Sequence, residues 1–396
     1  MRTIFELSDR AVELVSDQII RPQIGWLKQP ERLIGIKGSR GVGKTTLLLQ
    51  FAKKYLRGND YVYASLDNLF FSENRLIDFT DAFYKNGGKY LLLDEVHHYP
   101  GWSRELKNIY DNYPDLKLIF TGSSLLHLTK GRADLSRRSV IYSMPGLSLR
   151  EYINFSTNKD FPALQLKDIL TNHEKIAKSI IKEIKTIKWF NQYLKYGYYP
   201  FFMEGTENYH KKVSEILNHI LETDIPFATG ISYNNIHKLK QLLFVISESV
   251  PFKPNIEKLS GRIGIARNTL KDYLFYMSDA EVLNLLYDHR KGISRLTKPE
   301  KIYLQNPNLM FAITGSHTDS GNLRETFFLN QTQPHHKINY SKNGDFMIDG
   351  KFIFEVGGKN KTTKQIKNIP QSYLAIDDIE TGYKNEVPLW LFGFLY

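Results

Sequence analysis

A glycine-rich segment near the start of the chain has the residue types and spacing that wrap a nucleotide's phosphates. It fits the pattern G-x-x-x-x-G-K-[ST], in which glycines let the backbone bend and the loop amides form an anion nest at a helix N-terminus. We expect Lys44 to reach the β and γ phosphates of ATP or GTP, and Thr45 to offer its hydroxyl to Mg²⁺. The predicted binding loop is Gly38-Ser39-Arg40-Gly41-Val42-Gly43-Lys44-Thr45-Thr46.

Two acids close the apolar run of residues 90–93, where a buried strand is expected to end. We expect Asp94 to hold the water shell of Mg²⁺, and Glu95 to orient and polarise the water that attacks the γ phosphate. A buried strand that ends in two acids is costly unless a cation lies beside it, which favours this interpretation. Ser123, at the end of the next strand-like run, is predicted to be a polar sensor between this water and the γ phosphate; a plain turn is the alternative.

An arginine commonly meets the charge that builds up on transferred phosphoryl oxygens. Arg137 and Arg138 lie just before the fifth strand-like run, with Arg132 upstream. We predict that Arg138 has this role, although a surface salt bridge would explain any one of these arginines equally well. If the arginine acts on another copy of the chain, the protein must form a homo-oligomer.

Short apolar runs separated by helical sequence predict a parallel sheet that is covered on both faces. One run precedes the glycine-rich segment, and apolar residues at helical spacing follow it over residues 44–55. This strand-loop-helix context predicts an α/β P-loop NTPase core over residues 1–149. The strand-like runs are residues 32–37, 61–66, 90–94, 116–121 and 139–143.

Beyond residue 149, long amphipathic stretches predict a helical domain over residues 150–235. Residues 236–304 predict three helices, the last two joined by a glycine turn, and then a hairpin, which together indicate a winged helix. The last of these helices could enter a major groove, or the module could dock a protein instead. The predicted DNA contacts are Arg267, Asn268, Lys271, Arg290 and Lys291.

Residues 305–396 predict an α+β domain with strands at residues 337–340, 345–348, 351–356 and 388–395 and a helix around residues 363–368. Four of its residues are spaced like the acids and lysine of a PD-(D/E)XK nuclease. Gly357 stands where that lysine should be, so Lys359 or Lys361 would have to swing in, and metal-dependent cleavage would be impaired. The alternative is four surface residues of a structural domain. The predicted degenerate site comprises Glu325, Asp345, Glu355 and Lys359.

Composition limits the class of protein. The chain has 396 residues, a net charge of +11 and no cysteine, which removes disulfides, thiolate zinc sites and cysteine nucleophiles. The positive charge attracts polyanions such as nucleic acid, or else belongs to a solvated lysine surface. No apolar run approaches the roughly 20 residues that span a bilayer, and no signal pattern is visible, so we expect a cytoplasmic protein without membrane contact.

The motifs together resemble those of one family. The glycine-rich loop, residues 91–97, residues 121–124 and residues 147–152 are similar to those of bacterial and archaeal AAA+ or STAND-like ATPases that carry a winged helix and a C-terminal nuclease-like domain of unknown function. The resemblance implies a core strand order of 5-1-4-3-2 and a preference for ATP. The residues themselves do not distinguish adenine from guanine.

We therefore expect a Mg²⁺-dependent ATPase whose nucleotide state controls its C-terminal modules, with DNA or a protein as the partner of those modules. Three alternatives stay open from the sequence: an ATP-switched DNA-binding regulator with little turnover, an ATP-gated metal-dependent nuclease, and a protein-docking module with a vestigial C-terminal domain.

Overall fold

The computed structural model describes residues 2–127, 135–248, 251–289, 298–315, 319–362, 366 and 368–396. The chain forms two compact units, one of residues 1–145 and 227–230 and the other of residues 146–226 and 231–396. The first unit ends close to the predicted boundary at residue 149, and the separation of the remainder into three domains stays a prediction. Among the described helices, none is long and apolar enough to cross a membrane.

A five-stranded parallel sheet forms the centre of the first unit. Its strands are β1 (Leu33–Gly38), β2 (Tyr61–Ser65), β3 (Tyr90–Asp94), β4 (Lys117–Ser123) and β5 (Val140–Ser143). They lie in the order β2-β3-β4-β1-β5, which is the implied order 5-1-4-3-2 counted from the opposite edge, so this expectation is confirmed. β1, β3 and β4 are buried along most of their length, as expected for parallel strands covered on both faces.

Helices cover this sheet and complete its core. They are α1 (Arg2–Leu14), α2 (Lys44–Tyr55), α3 (Phe70–Glu73), α4 (Leu76–Lys85) and α5 (Trp102–Asn112). Phe79 and Phe83 of α4 and Leu106 of α5 belong to one apolar cluster with Leu91 of β3 and Leu118 of β4. The cluster removes large apolar side chains from water, and this burial is the main force that holds helices on a sheet.

The register of the sheet brings several polar strand ends together. Gly38 of β1 lies opposite Ser123 of β4, and Ser65 of β2 lies opposite Asp94 of β3. All five strands run in the same direction, so these residues meet at the carboxyl edge of the sheet. Ligands of open α/β sheets bind at this edge.

Helices fill the first part of the second unit. Ser148 begins the first of them with a capping box, in which its hydroxyl accepts from the Glu151 N–H and the Glu151 carboxylate accepts from the Ser148 N–H. This gives the motif of residues 147–152 a structural role. The helices from residue 149 to residue 247 are α6 (Leu149–Thr157), α7 (Leu166–Ile181), α8 (Thr186–Tyr196), α9 (Tyr209–His219), α10 (Ile225–Thr229, partly in the first unit) and α11 (Ile236–Ser247).

Two further helices and a hairpin follow α11, in the segment for which a winged helix is predicted. The elements are α12 (Ile256–Ile263), α13 (Arg267–Asp279), β6 (Leu283–Leu286) and β7 (Lys301–Leu304). Gly264 ends α12 in the left-handed conformation, with φ of 69°, and so supplies the predicted turn. β6 and β7 are antiparallel, and Phe252 pairs with Ile302 of β7 as an isolated bridge. The predicted hairpin tip lies largely outside the described residues.

The C-terminal part of the second unit contains a mixed sheet in the order β12-β11-β10-β9-β8. Its strands are β8 (Ile338–Tyr340), β9 (Phe346–Ile348), β10 (Phe352–Gly357), β11 (Ser372–Ile376) and β12 (Glu386–Pro388), and the helices beside it are α14 (Pro307–Thr314) and α15 (Ser320–Thr332). β8, β9 and β10 pair antiparallel, whereas β10, β11 and β12 pair parallel. An α+β arrangement was expected here, but β11 has no counterpart among the predicted strands.

The strand predicted over residues 388–395 is wrong. Only Glu386–Pro388 is extended, and Leu389–Phe394 forms a 3₁₀ helix in which all six residues are buried. A short, uniformly apolar run lacks the periodicity that distinguishes a strand from a buried helix. Most of the helix expected around residues 363–368 lies outside the described residues.

Candidate functional site

The glycine-rich loop joins β1 to α2 at the carboxyl edge of the parallel sheet. Gly41 and Gly43 have φ of 83° and 96°, a region that costs other residues strain, so glycine is required for this backbone path. A Cβ atom at Gly38 would lie 2.5 Å from the carbonyl oxygen of Met144. Lys44 is buried, and its Nζ donates to the carbonyl oxygens of Gly38 and Ser39, both at 2.9 Å.

Three hydroxyl groups hold the carboxylate of Asp94, which is 2% exposed. Thr45 Oγ1 donates to Oδ2 at 2.7 Å, Tyr63 Oη donates to the same oxygen at 2.9 Å, and Thr121 Oγ1 donates to Oδ1. The two predicted Mg²⁺ ligands, Thr45 and Asp94, are therefore in direct contact. Burial and the charge of Asp94 raise the pKa of Tyr63, so this hydroxyl stays a donor.

Glu95 follows β3 in a left-handed backbone conformation, with φ of 52°. Its N–H donates to Thr121 Oγ1 at 3.2 Å, so the hydroxyl that contacts Asp94 also fixes the backbone of Glu95. Burial raises the pKa of the Glu95 carboxyl, and the charge of Asp94 adds to this, while Lys44 and Arg40 oppose it. A non-glycine residue in this conformation is uncommon and marks a position that the surrounding structure constrains.

His97 lies between Glu95 and the end of β4. Its Nδ1 lies 3.3 Å from Glu95 Oε2, and the main-chain N–H of Ser123 donates to the same nitrogen at 3.3 Å. The hydroxyl of Ser123, the predicted sensor, accepts from the N–H of Leu125 at 3.3 Å. Glu95, His97 and His98 also offer potential metal-ligating atoms within 4.8 Å of one another.

The donor set at Asp94 fits magnesium. A carboxylate and a hydroxyl are hard oxygen ligands, and Mg²⁺ takes one or two protein oxygens while phosphates and water complete its octahedron. The positive-φ glycines and the helix that begins at Lys44 provide the N–H groups that favour an anion beside this metal. The residues of the predicted loop thus fit a Mg²⁺-nucleotide.

Arg138 lies near the amino ends of the strands, at the opposite edge of the sheet from the phosphate loop. β5 begins at Val140, which is opposite Ile34 near the start of β1, whereas the phosphate loop follows the end of β1. The guanidinium binds both carboxylate oxygens of Asp111, with Nε to Oδ1 at 2.8 Å and Nη2 to Oδ2 at 3.0 Å. The structure does not bring Arg138 to the phosphate loop of its own chain, and a role in the site of another copy stays a prediction. Arg132 lies outside the described residues.

The predicted DNA contacts lie partly on α13. Arg267 and Asn268 are exposed at its first turn, Lys271 is half-buried one turn later, and this spacing puts all three near one face of the helix. Arg267 pairs with Glu257 of α12, which offsets part of its charge. The other two predicted contacts, Arg290 and Lys291, lie outside the described residues.

In the second unit, Lys301 joins two of the predicted nuclease acids. Its Nζ lies 3.2 Å from Glu325 Oε2 and 3.0 Å from Asp345 Oδ1, and Tyr303 Oη donates to the same Glu325 oxygen at 2.6 Å. Burial opposes the charge of Lys301, whose side chain is 8% exposed, but the two carboxylates outweigh it and raise its pKa. Because an ammonium already bridges these carboxylates, their geometry does not favour a divalent cation.

The third acid, Glu355, is paired with Lys361 and not with Lys359. Lys359 is exposed, so the predicted site residue does not reach the acids. Gly357 explains the arrangement: a Cβ atom there would lie 2.5 Å from Cγ of Lys361, so the absence of a side chain makes room for the Lys361 stem. Burial raises the pKa of Glu355, and Lys361 opposes that rise.

Sequence reasoning missed several residues of both clusters. Tyr63 lies two residues before the end of β2, and Thr121 belongs to a hydroxyl-rich strand end, so both had a weak positional signal. His97 is two residues beyond Glu95. Lys301 and Tyr303 gave no signal, because their contacts with Glu325 span 24 and 22 residues of chain.

Comparisons with known proteins agree with the geometry of the first unit. Residues 30–153 match the family model described as an AAA domain, and residues 187–320 match a domain of unknown function, DUF8612. The chain thus carries an AAA domain, and its α/β sheet and phosphate loop are those of a P-loop NTPase.

One relative covers much of the chain. The uncharacterized protein MJ1637 of Methanocaldococcus jannaschii is 28% identical over 289 residues, which are 69% of this chain and 60% of the relative. The match therefore spans less than two thirds of the relative's length.

Solved structures that match include the Thermotoga maritima RuvB Holliday junction branch migration motor, with 14% identity, coverage of 71% of this chain and 89% of that chain, and a TM-score of 0.28. AMPPCP-bound DnaA from Aquifex aeolicus matches with 16% identity, coverage of 70% and 88%, and a TM-score of 0.25. Likenesses at these TM-scores support no inference about this chain.

Proposed function

We propose that the chain is a Mg²⁺-dependent ATPase. The observation that carries the proposal is the hydrogen bond of 2.7 Å from Thr45 Oγ1 to Asp94 Oδ2, which joins the phosphate loop to the acid that ends β3. The AAA domain match over residues 30–153 supports it independently. A loop with a buried lysine and a strand-end acid in contact is the arrangement that P-loop NTPases use to hold a metal-bound nucleotide.

Each residue of the site has a separate chemical task. The loop N–H groups and the Lys44 ammonium would bind phosphate oxygens, and Thr45 and Asp94 would hold the metal. Bound Mg²⁺ would neutralise charge on the phosphates. Glu95 orients a water and accepts its proton, and a carboxyl whose pKa is raised by burial is a better base than an exposed one once it is ionised.

Two substitutions separate nucleotide binding from hydrolysis. Lys44→Ala should weaken ATP binding and abolish turnover, because it removes the ammonium that contacts the phosphates. Glu95→Gln should retain ATP but release phosphate about 10²–10⁴-fold more slowly, the range for loss of a general base. Binding of a fluorescent ATP analogue and steady-state phosphate release measure the two effects. A parallel series with GTP tests whether the site prefers adenine or guanine.

Lys54→Ala is the matched control, since Lys54 is an exposed lysine on the same helix. It should leave both measurements unchanged. Unaltered phosphate release in both Lys44→Ala and Glu95→Gln would remove the proposal.

DNA binding is a second candidate function, in which the nucleotide acts as a switch. It is favoured by the order α11, the isolated bridge at Phe252, α12, α13 and the β6–β7 hairpin, which is the order of a winged helix, and by the exposed Arg267 at the start of α13. The net charge of +11 would assist an encounter with DNA.

A gel-shift series over increasing salt tests this second function. Phosphate contacts predict that affinity falls steeply with salt. The double variant Arg267→Ala/Lys271→Ala should lose about two such contacts, so the slope of log affinity against log salt concentration should become shallower by about two. Lys258→Ala/Lys359→Ala removes the same charge from exposed positions off α13 and serves as the control. Absence of any shift at low salt would exclude the function.

A further inference from the structure

Arg21 is a buried arginine that the chemistry above leaves without a task. It directly precedes the 3₁₀ helix Pro22–Lys28, ahead of β1, and is 6% exposed. One of its terminal nitrogens, Nη1, donates to the carbonyl oxygen of Val42 at 3.3 Å and to that of Pro145 at 2.8 Å. This nitrogen carries two hydrogens, so it can serve both acceptors at once. The first acceptor belongs to the phosphate loop.

The second acceptor gives the guanidinium a fixed support. Pro145 follows β5, and the N–H of its neighbour Met144 donates to the carbonyl oxygen of Lys37 at 2.8 Å. Lys37 belongs to β1, the strand that leads into the loop. Arg21 therefore ties the middle of the loop to a segment that the sheet itself holds in place.

The contact with Val42 determines where the next amide points. In a trans peptide the C=O and the following N–H point in opposite directions, so a Val42 carbonyl held by Arg21 turns the Gly43 N–H away from the guanidinium. Among the residues that the structure describes, no group accepts a hydrogen bond from this N–H. It is therefore available for a phosphate oxygen, as the loop pattern requires of its amides.

The flexibility of glycine gives this contact its importance. Gly43 has no side chain to restrict its backbone, so the peptide that joins it to Val42 can flip at low cost. A flip would aim the Val42 carbonyl oxygen, in place of an N–H, at the phosphates and repel them. The hydrogen bond from Arg21 opposes the flip before nucleotide arrives, and a site that is already ordered loses less entropy when it binds.

Attachment of the 3₁₀ helix to the core is a competing use of the same guanidinium. Arg32 provides a comparison, because it also donates to main-chain carbonyl oxygens, those of Tyr110, Tyr113 and Pro114. Arg32 directly precedes β1, whereas the phosphate loop follows the end of this strand. If attachment were the only task, loss of either arginine should affect stability and neither should affect nucleotide binding.

We propose that Arg21 is a positioning residue for nucleotide binding, which holds the Val42 carbonyl so that the Gly43 N–H faces the phosphates. The inference rests on the proposed ATPase function. Arg21→Met keeps an apolar stem and removes every donor. It should weaken binding of ADP and of a fluorescent ATP analogue about tenfold to a hundredfold, the range for loss of a hydrogen bond to a charged group.

The turnover number should be affected much less than the affinity. The loop amides hold the α and β phosphates, which do not move during transfer of the γ phosphoryl group, so they bind the ground state and the transition state alike. In Arg21→Met, kcat at saturating ATP should therefore change by less than about threefold, while KM rises with the loss of affinity.

Further variants separate orientation from charge and from packing. Arg21→Lys keeps the positive charge but loses the planar fork, so it should recover only part of the affinity. Arg32→Met should lower the free energy of unfolding in urea and leave the affinity for ADP unchanged. Arg21→Gln, whose side chain is shorter and uncharged, should also weaken ADP binding, and it replaces Arg21→Met if that variant does not fold.

Four results would overturn the inference: unchanged ADP affinity in Arg21→Met, an equal loss of affinity in Arg32→Met, full recovery in Arg21→Lys, or a fall in kcat as large as the loss of affinity. A crystal structure of Arg21→Met without nucleotide should show the Val42–Gly43 peptide flipped or in two orientations, and an unchanged peptide would also disprove the role. ADP binding without turnover in wild type would refute the ATPase proposal, while the ADP series would still decide the role of Arg21.

Discussion

Replacement of Lys301 by methionine should destabilise the second unit more than the same replacement of an exposed lysine would. The ammonium lies 3.2 Å from Glu325 and 3.0 Å from Asp345, and the exposed fractions of the three side chains are 8%, 17% and 15%. Methionine keeps the length of the side chain but leaves two largely buried carboxylates facing each other. Removing one partner of a buried charged network costs about 3–5 kcal/mol, so we expect a loss of that order in the free energy of unfolding.

Urea unfolding monitored by far-UV circular dichroism measures this loss. Lys342→Met is the matched control, since Lys342 is an exposed lysine in the same part of the chain and its loss should change stability by less than about 0.5 kcal/mol. The double variant Lys301→Met/Glu325→Gln should recover much of the stability. It removes one of the two negative charges that would face each other, and it keeps an oxygen that can accept the hydrogen bond from Tyr303.

The stability of the Lys301→Met variant should depend on pH in a defined direction. Burial already raises the pKa of Glu325 above its ordinary 4.5, with Asp345 adding to the rise and Lys301 opposing it. In Lys301→Met this opposition disappears, so the pKa rises further. Within the window between the ordinary and the raised pKa, the folded variant holds more protons than the unfolded chain, and its stability falls as pH rises.

The loss of free energy of unfolding in Lys301→Met relative to wild type should therefore be smaller at about pH 5 than at about pH 7. A loss no greater than that of Lys342→Met, or a deficit independent of pH, would refute this account of the cluster.

Three smaller perturbations test other parts of the molecule. Mixing Arg138→Ala with Lys44→Ala protein should restore phosphate release that neither has alone, because one supplies an intact loop and the other the arginine. Gly43→Ala should weaken binding of a fluorescent ATP analogue about tenfold, since φ of 96° costs a side-chain-bearing residue about 1–2 kcal/mol. Tyr63→Phe removes a donor to the buried Asp94 carboxylate and should lower the free energy of unfolding by about 1.5–3 kcal/mol, measured in urea.

The sequence was most informative where function depends on neighbouring residues. The phosphate loop is contiguous, so its pattern alone predicts a strand before it and a helix after it, and β1 and α2 lie there. Asp94 was predictable for a similar reason, because an acid at the end of an apolar run needs a polar partner at the sheet edge. The hydroxyl of Thr45 is one of the three that contact it.

Contacts between distant segments were not predictable in this way. Even near in the chain, the sequence left Lys359 and Lys361 as alternatives beside Glu355, because nothing in the local pattern ranks the two, and the ion pair is with Lys361. Lys301 reaches Asp345 across 44 residues of chain. The 3₁₀ helix Leu389–Phe394 illustrates a different failure, since a run buried on every side shows neither a helical nor a strand period.

Gly357 has a consequence for any attempt to write the E-x-K spacing into β10. A lysine at this position would begin in volume that the Lys361 stem already fills, because even its first side-chain carbon would meet Cγ of Lys361 at 2.5 Å. The two lysines are mutually exclusive occupants of one space beside Glu355. Such a redesign would have to substitute positions 357 and 361 together, and the single exchange Gly357→Lys would expel the lysine that now neutralises the acid.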